Sequence, residues 1–123
     1  MRLLVVEDSA LIRSVTRLAF PPGAHQLVEA ENGRRALELL DNAIQPFAAI
    51  LLDLRMPEMN GVEFIQALRQ RPIHRATPVV VASSEAEESE LGRAVRQLGV
   101  AAVVKKPWKP HELAEIVRRA AGG

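Results

Sequence analysis

The sequence predicts a doubly wound α/β fold in which five parallel strands alternate with five helices. The prediction rests first on four short apolar runs, at residues 3–6, 48–52, 79–82 and 100–104. These runs are apolar at nearly every position and too short for stable helices, which is typical of strands covered on both faces. A more polar fifth run, residues 26–30, has the mixed character of an edge strand. Helical patterns fall between the runs, so the predicted order is βαβαβαβαβα.

Each helix is predicted from an apolar stripe with helical spacing and from the residues that begin or end it. Ser9 is a candidate N-cap of the first helix, Gly99 ends the fourth, and Pro110 lies in the first turn of the fifth. The stripes expected to face the sheet are Leu11, Ile12, Val15, Leu18 and Ala19; Ala36, Leu37, Leu40 and Ile44; Val62, Ile65 and Leu68; Leu91, Ala94, Val95 and Leu98; and Leu113, Ile116, Val117 and Ala120.

Length and composition indicate a single domain, which we place at residues 1–123. A formal net charge of +1 argues against a chain that holds nucleic acid through its overall field. The absence of cysteine excludes disulfide frameworks, and no apolar run approaches the roughly 20 residues that span a bilayer. We therefore expect a cytoplasmic protein without a nucleic-acid or membrane partner. His25, His74 and His111 occur singly, without the spacing of a metal site, and are expected on the surface.

Polar and charged side chains follow four of the five predicted strands. In a doubly wound sheet, ligands bind outside the carboxyl ends of the strands, so these side chains should converge at one edge. The residues concerned are Glu7 and Asp8, Asp53, Ser83 and Ser84, and Lys105 and Lys106, which Pro107 follows.

Three carboxylates at one edge create a charge problem. Carboxylates within a few ångströms repel one another, which raises their pKa values or demands a cation, and one lysine cannot balance three acids. Mg²⁺ suits a site with few protein ligands, retained waters and a phosphate oxygen. Because a carboxylate is also a covalent nucleophile in phosphoryl transfer, the sequence predicts a site that works mainly by positioning and electrostatics.

The stretch from Asp53 to Gly61, which contains Met56-Pro57, resembles the phosphorylation loop of response-regulator receiver domains of two-component systems, in particular the chemotaxis-regulator type. An acidic pair after strand one and Lys-Pro after strand five complete the family's pattern, in order and over essentially the whole chain. The resemblance implies a flavodoxin-like fold, a (βα)5 sandwich whose five-stranded parallel sheet has the order 2-1-3-4-5.

The resemblance also implies roles for the residues at this edge. Asp53 is the expected phosphoacceptor and, with Asp8, a direct ligand of Mg²⁺, for which Mn²⁺ is a substitute. Glu7 is expected to contribute through water, and the backbone carbonyl of Arg55 to complete the protein ligands. Lys106 is expected to contact the phosphoryl group.

The switch hydroxyl is ambiguous by one residue. Its distance from Pro78 favours Ser83, whereas the count back from Gly99 favours Ser84, and we prefer Ser83. At the other end of the predicted relay, Val103 replaces the aromatic residue that often stands three before the lysine. Position 103 therefore lacks the ring that the family's ring-flip step uses.

Other positions beside the site carry expectations of their own. Pro107 is expected to follow a cis peptide bond, and Trp108, which stands where phenylalanine is usual, to be an exposed fluorescence reporter. Arg55 and Glu85 occupy positions that in this family tune how long the phosphoryl group survives. Their opposite charges could bridge over Asp53 and impede attacking water.

The implied function is signal transduction by phosphorelay. A sensor histidine kinase or phosphotransfer protein would phosphorylate Asp53, and the face formed by the fourth helix, fifth strand and fifth helix would then change for a downstream protein or output domain. No enzymatic activity is expected beyond self-phosphorylation and slow autodephosphorylation. Two alternatives stay open: a phosphorylation-independent pseudo-receiver adaptor, and a haloacid-dehalogenase-type phosphatase, which would need a DxD sequence after its first strand and a substrate cap.

Overall fold

The structure is a computed structural model and describes residues 1–84 and 90–122. It contains one parallel sheet, made of β1 Arg2–Val6, β2 Gln26–Ala30, β3 Ala49–Leu52, β4 Val79–Ser83 and β5 Ala102–Lys105. The strand order is β2-β1-β3-β4-β5, so β2 and β5 are the edge strands. The predicted α/β class, parallel sheet and strand order are confirmed.

Five helices connect and cover the strands within the described residues: α1 Ala10–Ala19, α2 Gly33–Asn42, α3 Gly61–Arg69, α4 Glu90–Gln97 and α5 Pro110–Ala120. Helices α2, α3 and α4 pack on one face of the sheet, and α1 and α5 pack on the other. The chain therefore forms three layers, with the sheet in the middle.

The strands are apolar at consecutive positions because the sheet is buried on both faces. Side chains alternate along a strand, so Leu4 and Val6 enter the core under α2, α3 and α4, whereas Leu3 and Val5 enter the core under α1 and α5. All four side chains are at most 2% exposed. Continuous apolar strands thus supply two cores at once.

The predicted helix ends are confirmed where the structure describes them. The Ser9 side chain accepts a hydrogen bond from the Ile12 backbone N–H at 3.2 Å, which caps α1. Gly99 follows α4 with a φ of +77°, a conformation that glycine adopts without steric cost. Pro110 is the first residue of α5, where its missing N–H is no loss.

The apolar stripe predicted for α1 is wrong at two positions. Leu11 and Leu18 are 72% and 71% exposed, whereas Thr16 and Ala19 are buried against the sheet. Thr16 can occupy a buried position because its hydroxyl donates to the Ile12 carbonyl at 2.8 Å within the helix. A satisfied hydroxyl and a small side chain therefore face the sheet in place of two leucines.

The stripe predicted for α2 extends too far. The helix ends at Asn42, and Ile44 lies beyond it with 90% of its surface exposed. Phe47, three residues later, enters the core instead and is only 4% exposed. The backbone is already extended at Ala43, the C-cap residue, so Ile44 cannot continue the helical stripe.

The surface prediction is wrong for His74. The ring is 1% exposed, its Nε2 lies 2.8 Å from the Leu40 carbonyl oxygen, and it packs against Phe47 with 6.5 Å between ring centroids. His74 therefore ties the segment after α3 to the end of α2. His25 is only partly buried, with an edge contact to Phe20, and His111 is exposed as expected.

Candidate functional site

The central strands β1 and β3 bring two acidic residues together at the carboxyl edge of the sheet. Val6 pairs with Leu52 in the parallel register, and the Asp53 backbone N–H donates to the Val6 carbonyl at 3.0 Å. On the other side of β1, the Glu7 backbone N–H donates to the Ala30 carbonyl at 3.0 Å. Each acid therefore follows its strand immediately, at a position fixed by the sheet.

Three carboxylates form a cluster at this edge. Oxygens of Glu7, Asp8 and Asp53 all lie within 4.8 Å of one another. Glu7 and Asp53 are buried, at 5% and 8% exposed, whereas Asp8 is exposed. Within residues 1–84 and 90–122, no other group of three such side chains could hold a metal ion. Carboxylate oxygens are ligands that Mg²⁺ prefers, so the cluster is a candidate metal centre.

Lys106 supplies a positive charge to the same cluster. Its Nζ lies 2.7 Å from Glu7 Oε1 and 3.4 Å from Asp53 Oδ1. The Lys106 backbone N–H donates to the Ser83 carbonyl at 2.8 Å, which places the lysine beside the end of β4. The Lys106–Pro107 peptide bond is cis, as predicted. Lys105, its neighbour in sequence, is exposed.

The close packing of these charges perturbs their protonation. Burial raises the pKa of the Glu7 carboxyl, although hydrogen bonds from Lys106 and the Ser9 N–H act in the opposite direction. Burial likewise raises the pKa of Asp53, against the opposing charge of Lys106. Burial alone would lower the pKa of Lys106, but the hydrogen bond to Glu7 and the charges of Asp53 and Glu7 outweigh it and raise that pKa.

Both candidate switch serines lie at this edge of the sheet. Ser83 is the last residue of β4, is 2% exposed and pairs with Lys105 in the β4–β5 register. Ser84 is exposed and lines an apolar groove together with Lys106 and Trp108. Strand pairing therefore fixes the backbone of Ser83 next to that of Lys106, and Ser84 lies just beyond the strand.

The remaining predicted positions are placed as follows. Arg55 is exposed in the segment after Asp53, and Glu85 lies outside the described residues. Val103 is partly buried, pairs with Val81 and packs against the core under α2, α3 and α4. Trp108 is partly buried rather than exposed, because its indole also packs against the other core.

Arg13 contributes to the site and was missed in the sequence. Its Nη1 donates to the Glu7 backbone carbonyl at 2.7 Å, and its Nε lies 3.5 Å from a Glu29 carboxylate oxygen. No motif marks this residue, since an arginine in a helix is usually part of a solvated face. Its role depends on how α1 packs beside β2, which the sequence pattern does not specify.

The start of α3 is packed tightly against the acceptor segment. The Gly61 backbone N–H donates to the Leu54 carbonyl at 2.8 Å. A Cβ on Gly61 would lie 2.9 Å from Leu54 Cδ2 and 3.1 Å from Leu54 Cα. Asn60 caps α3 reciprocally with Glu63, at 2.9 Å and 3.0 Å. Glycine at position 61 thus permits a close approach of the helix to the residue that follows Asp53.

The fold and the site together define a class: a doubly wound parallel sheet with an acidic cluster and a lysine at the carboxyl ends of its strands. The sequence model of the response regulator receiver domain matches residues 3–118. The chain therefore belongs to this family, the receiver domains of two-component signal transduction. The family predicted from the sequence is confirmed.

Individual relatives agree with this assignment. The chain is 31% identical over 116 residues to a chemotaxis protein CheY homolog of Campylobacter jejuni, covering 94% of this chain and 88% of the homolog. It is 30% identical to the sensor histidine kinase CheAY of Helicobacter pylori over 95% of this chain, but it spans only 14% of that protein. A high-resolution structure of the chemotaxis response regulator CheY4 of Vibrio cholerae superposes with a TM-score of 0.86, at 28% identity, over 97% of both chains.

Membership of the family has general consequences. Receiver domains are signalling phosphoacceptors that are generally not classed as enzymes, and they bind Mg²⁺ at an acidic pocket. Relatives of this chain belong to histidine kinase and response regulator systems. Among the helices of residues 1–84 and 90–122, none combines the length and the apolar character that crossing a bilayer requires.

Proposed function

We propose that residues 1–123 act as one receiver domain, in which Asp53 accepts a phosphoryl group from a sensor histidine kinase or phosphotransfer protein. The observation that carries this proposal is the contact of one ammonium, Lys106, with two of three clustered carboxylates at the carboxyl edge of the sheet. A buried aspartate at a strand end, beside a lysine and further acids, combines a nucleophile with groups that offset charge.

The cluster fits Mg²⁺ in charge and in ligand chemistry. Glu7, Asp8 and Asp53 carry three negative charges when ionised, and Lys106 offsets one of them. A divalent cation would balance the remaining two, and Mg²⁺ prefers oxygen ligands. When bound, Mg²⁺ or Mn²⁺ would offset negative charge on the transferred group.

Asp8 and Asp53 are the proposed direct ligands, with the Arg55 backbone carbonyl completing the protein ligands. Glu7 is proposed to act through water, because both of its carboxylate oxygens already accept hydrogen bonds from protein donors. One bond comes from Lys106 at 2.7 Å, and the other comes from a backbone N–H at 3.2 Å.

The transfer itself is a displacement at phosphorus. An Asp53 carboxylate oxygen forms the new P–O bond while the P–N bond to the donor histidine breaks, and the histidine leaves with the bonding electrons. Lys106 is proposed to donate to a phosphoryl oxygen, and the Ser83 hydroxyl, or that of Ser84, is the proposed second donor. The acyl phosphate adds about one negative charge to the one that the carboxylate carried.

The proposed output is a change in the face formed by α4, β5 and α5, which a downstream protein or output domain would bind. Phosphorylation would bias this face between two states rather than build a new one. Val103 on β5 has no aromatic ring, so the proposed relay does not include the family's ring rotation.

The direct test is incubation of the protein with Mg²⁺ and a small acyl-phosphate donor, followed by intact mass and by Trp108 fluorescence. We expect a labile gain of one phosphoryl group that Asp53→Ala abolishes. No gain from small donors or from any kinase would favour the pseudo-receiver adaptor. Catalytic release of phosphate from many substrates would instead favour the phosphatase.

The phosphoryl lifetime offers a second test. Arg55→Ala and Glu85→Ala are each expected to change the autodephosphorylation rate, because opposite charges at these positions would impede the attacking water. Loss of label from the phosphorylated protein measures that rate. Unaltered lifetimes in both variants would contradict the proposed bridge.

A further inference from the structure

Arg13 makes a contact that the proposed phosphoryl chemistry does not itself require. Its guanidinium donates to the Glu7 backbone carbonyl at 2.7 Å, within the range of a strong hydrogen bond. That carbonyl belongs to the peptide that joins Glu7 to Asp8. Arg13 therefore contacts the main chain between two members of the acidic cluster, although its own charge has the opposite sign to theirs.

The contact comes where strand pairing ends. Strand β1 stops at Val6, and Glu7 continues it with one further backbone hydrogen bond, from its N–H to Ala30 at 3.0 Å. Asp8 is already exposed. The Glu7 carbonyl is thus the main-chain group directly before Asp8. It accepts its hydrogen bond from Arg13, a side chain of α1.

Arg13 is itself fixed from the other side by β2. Its Nε lies 3.5 Å from a carboxylate oxygen of Glu29, and its side chain is only 19% exposed. Glu29 also accepts two hydrogen bonds from Arg17, both 2.8 Å long. Arg17 stands one helical turn after Arg13, carries the same charge and shares its partner, but its side chain is 54% exposed.

We propose that Arg13 is a positioning residue of the metal site: it fixes the Glu7–Asp8 peptide so that these carboxylates stay gathered with Asp53. The inference rests on the proposed function, because it concerns affinity for Mg²⁺. Two effects of Arg13 oppose each other. Its positive charge disfavours a nearby cation, so a purely electrostatic role predicts that Arg13→Ala binds Mg²⁺ more tightly. A positioning role predicts weaker binding.

The sign of the change therefore decides between the two roles. Residues that orient metal ligands typically change affinity by 10–100-fold when removed, and we expect Arg13→Ala to raise the dissociation constant for Mg²⁺ by about tenfold. Arg17→Ala is the matched control, with the same loss of charge and the same lost partner, and should stay within about twofold because its exposed charge is screened. Titrations with MgCl₂, monitored by calorimetry and by Trp108 fluorescence, measure the dissociation constants of the three proteins.

An unchanged or lower dissociation constant in Arg13→Ala, with wild-type protein binding normally, would overturn the inference and leave the proposed function intact. Absence of Mg²⁺ binding by wild-type protein, or undiminished binding by Asp8→Asn, would instead count against the proposed metal site.

A metal-free measurement tests the positioning directly. The Ser9 backbone N–H donates to Glu7 Oε2 at 3.2 Å, so its hydrogen exchange reports the order of this segment. In the presence of chelator, Arg13→Ala should speed that exchange roughly tenfold while amides of β4 keep their rates. Arg17→Ala should leave it unchanged. Equal exchange at Ser9 in wild type and Arg13→Ala would overturn the positioning role whatever the metal result.

Discussion

Replacing Lys106 with methionine tests how far the acidic cluster depends on its ammonium. The substitution keeps most of the apolar length of the side chain but removes a charge 2.7 Å from Glu7 and 3.4 Å from Asp53. At an effective dielectric constant of about 20, the two attractions are worth roughly 6 and 5 kcal/mol before any desolvation is counted. Desolvation costs several kcal/mol per ion and offsets most of this gross attraction.

The expected net effect follows from what the substitution leaves behind. Removing one partner of a buried ion pair typically costs about 3–5 kcal/mol, because the other partner stays buried without a counter-ion. The Lys106 side chain is 19% exposed, so water already screens the pair in part. We therefore expect Lys106→Met to lower the free energy of unfolding by about 2–3 kcal/mol in metal-free buffer.

Mg²⁺ should reverse much of this loss, since a divalent cation supplies the missing positive charge. The assay is urea unfolding followed by far-UV circular dichroism, with chelator and with saturating MgCl₂ at matched ionic strength. Lys105→Met is the control, because it removes the same charge from an exposed neighbouring position and should cost no more than about 0.5 kcal/mol. Equal losses in the two variants, or a loss that Mg²⁺ leaves untouched, would refute the reasoning.

Two further predictions concern packing around the site and the core. Gly61→Ala should lower the free energy of unfolding by about 1–3 kcal/mol in urea titrations, because its Cβ would meet the Leu54 main chain. Gly33→Ala should stay within about 1 kcal/mol of wild type, since the three atoms nearest to its Cβ all belong to the flexible side chain of Met59. His74→Ala should cost about 2–4 kcal/mol in the same assay, because it removes a buried ring and its hydrogen bond.

The controls for these variants use positions of similar chemistry and different burial. His111→Ala removes an exposed histidine and should leave the urea midpoint unchanged. A loss as large as that of His74→Ala would contradict the assignment of His74 to the core. Likewise, a Gly33→Ala variant as unstable as Gly61→Ala would show that contact with the Leu54 main chain is not the cause.

The strands and helices could be predicted from local pattern, and the edge that carries the site from strand direction, whereas the strand order was implied by the family resemblance. A strand such as residues 79–82 is apolar at every position and too short for a stable helix, which is typical of a sheet covered on both faces. The proximity of Glu7 and Asp53 could be predicted from the sequence, because the carboxyl ends of parallel strands lie at one edge of the sheet. Helix ends at Ser9 and Pro110 followed from backbone chemistry in the same way.

What could not be predicted depended on which direction an element faces. The apolar stripe in α1 predicts that Leu11 and Leu18 face the sheet. Thr16 is buried there instead, because its hydroxyl donates a hydrogen bond to the Ile12 carbonyl within the helix. His74 is predicted to lie on the surface, and its burial could not be predicted because the Leu40 carbonyl, which contacts its ring Nε2, lies 34 positions away in the sequence. The contact between Arg13 and Glu7 could not be predicted for the same reason, because it forms only when α1 packs against the sheet.

The sheet separates two apolar cores that share strands but no helix. Leu68 of α3 belongs to one core and Leu113 of α5 to the other, and both are fully buried. Because the energetic effects of well-separated substitutions add, the two layers are nearly independent in how they tolerate change. Substitutions can therefore accumulate in the core on one side of the sheet while the core on the other side keeps its packing. The helices of the two layers can diverge in sequence one layer at a time.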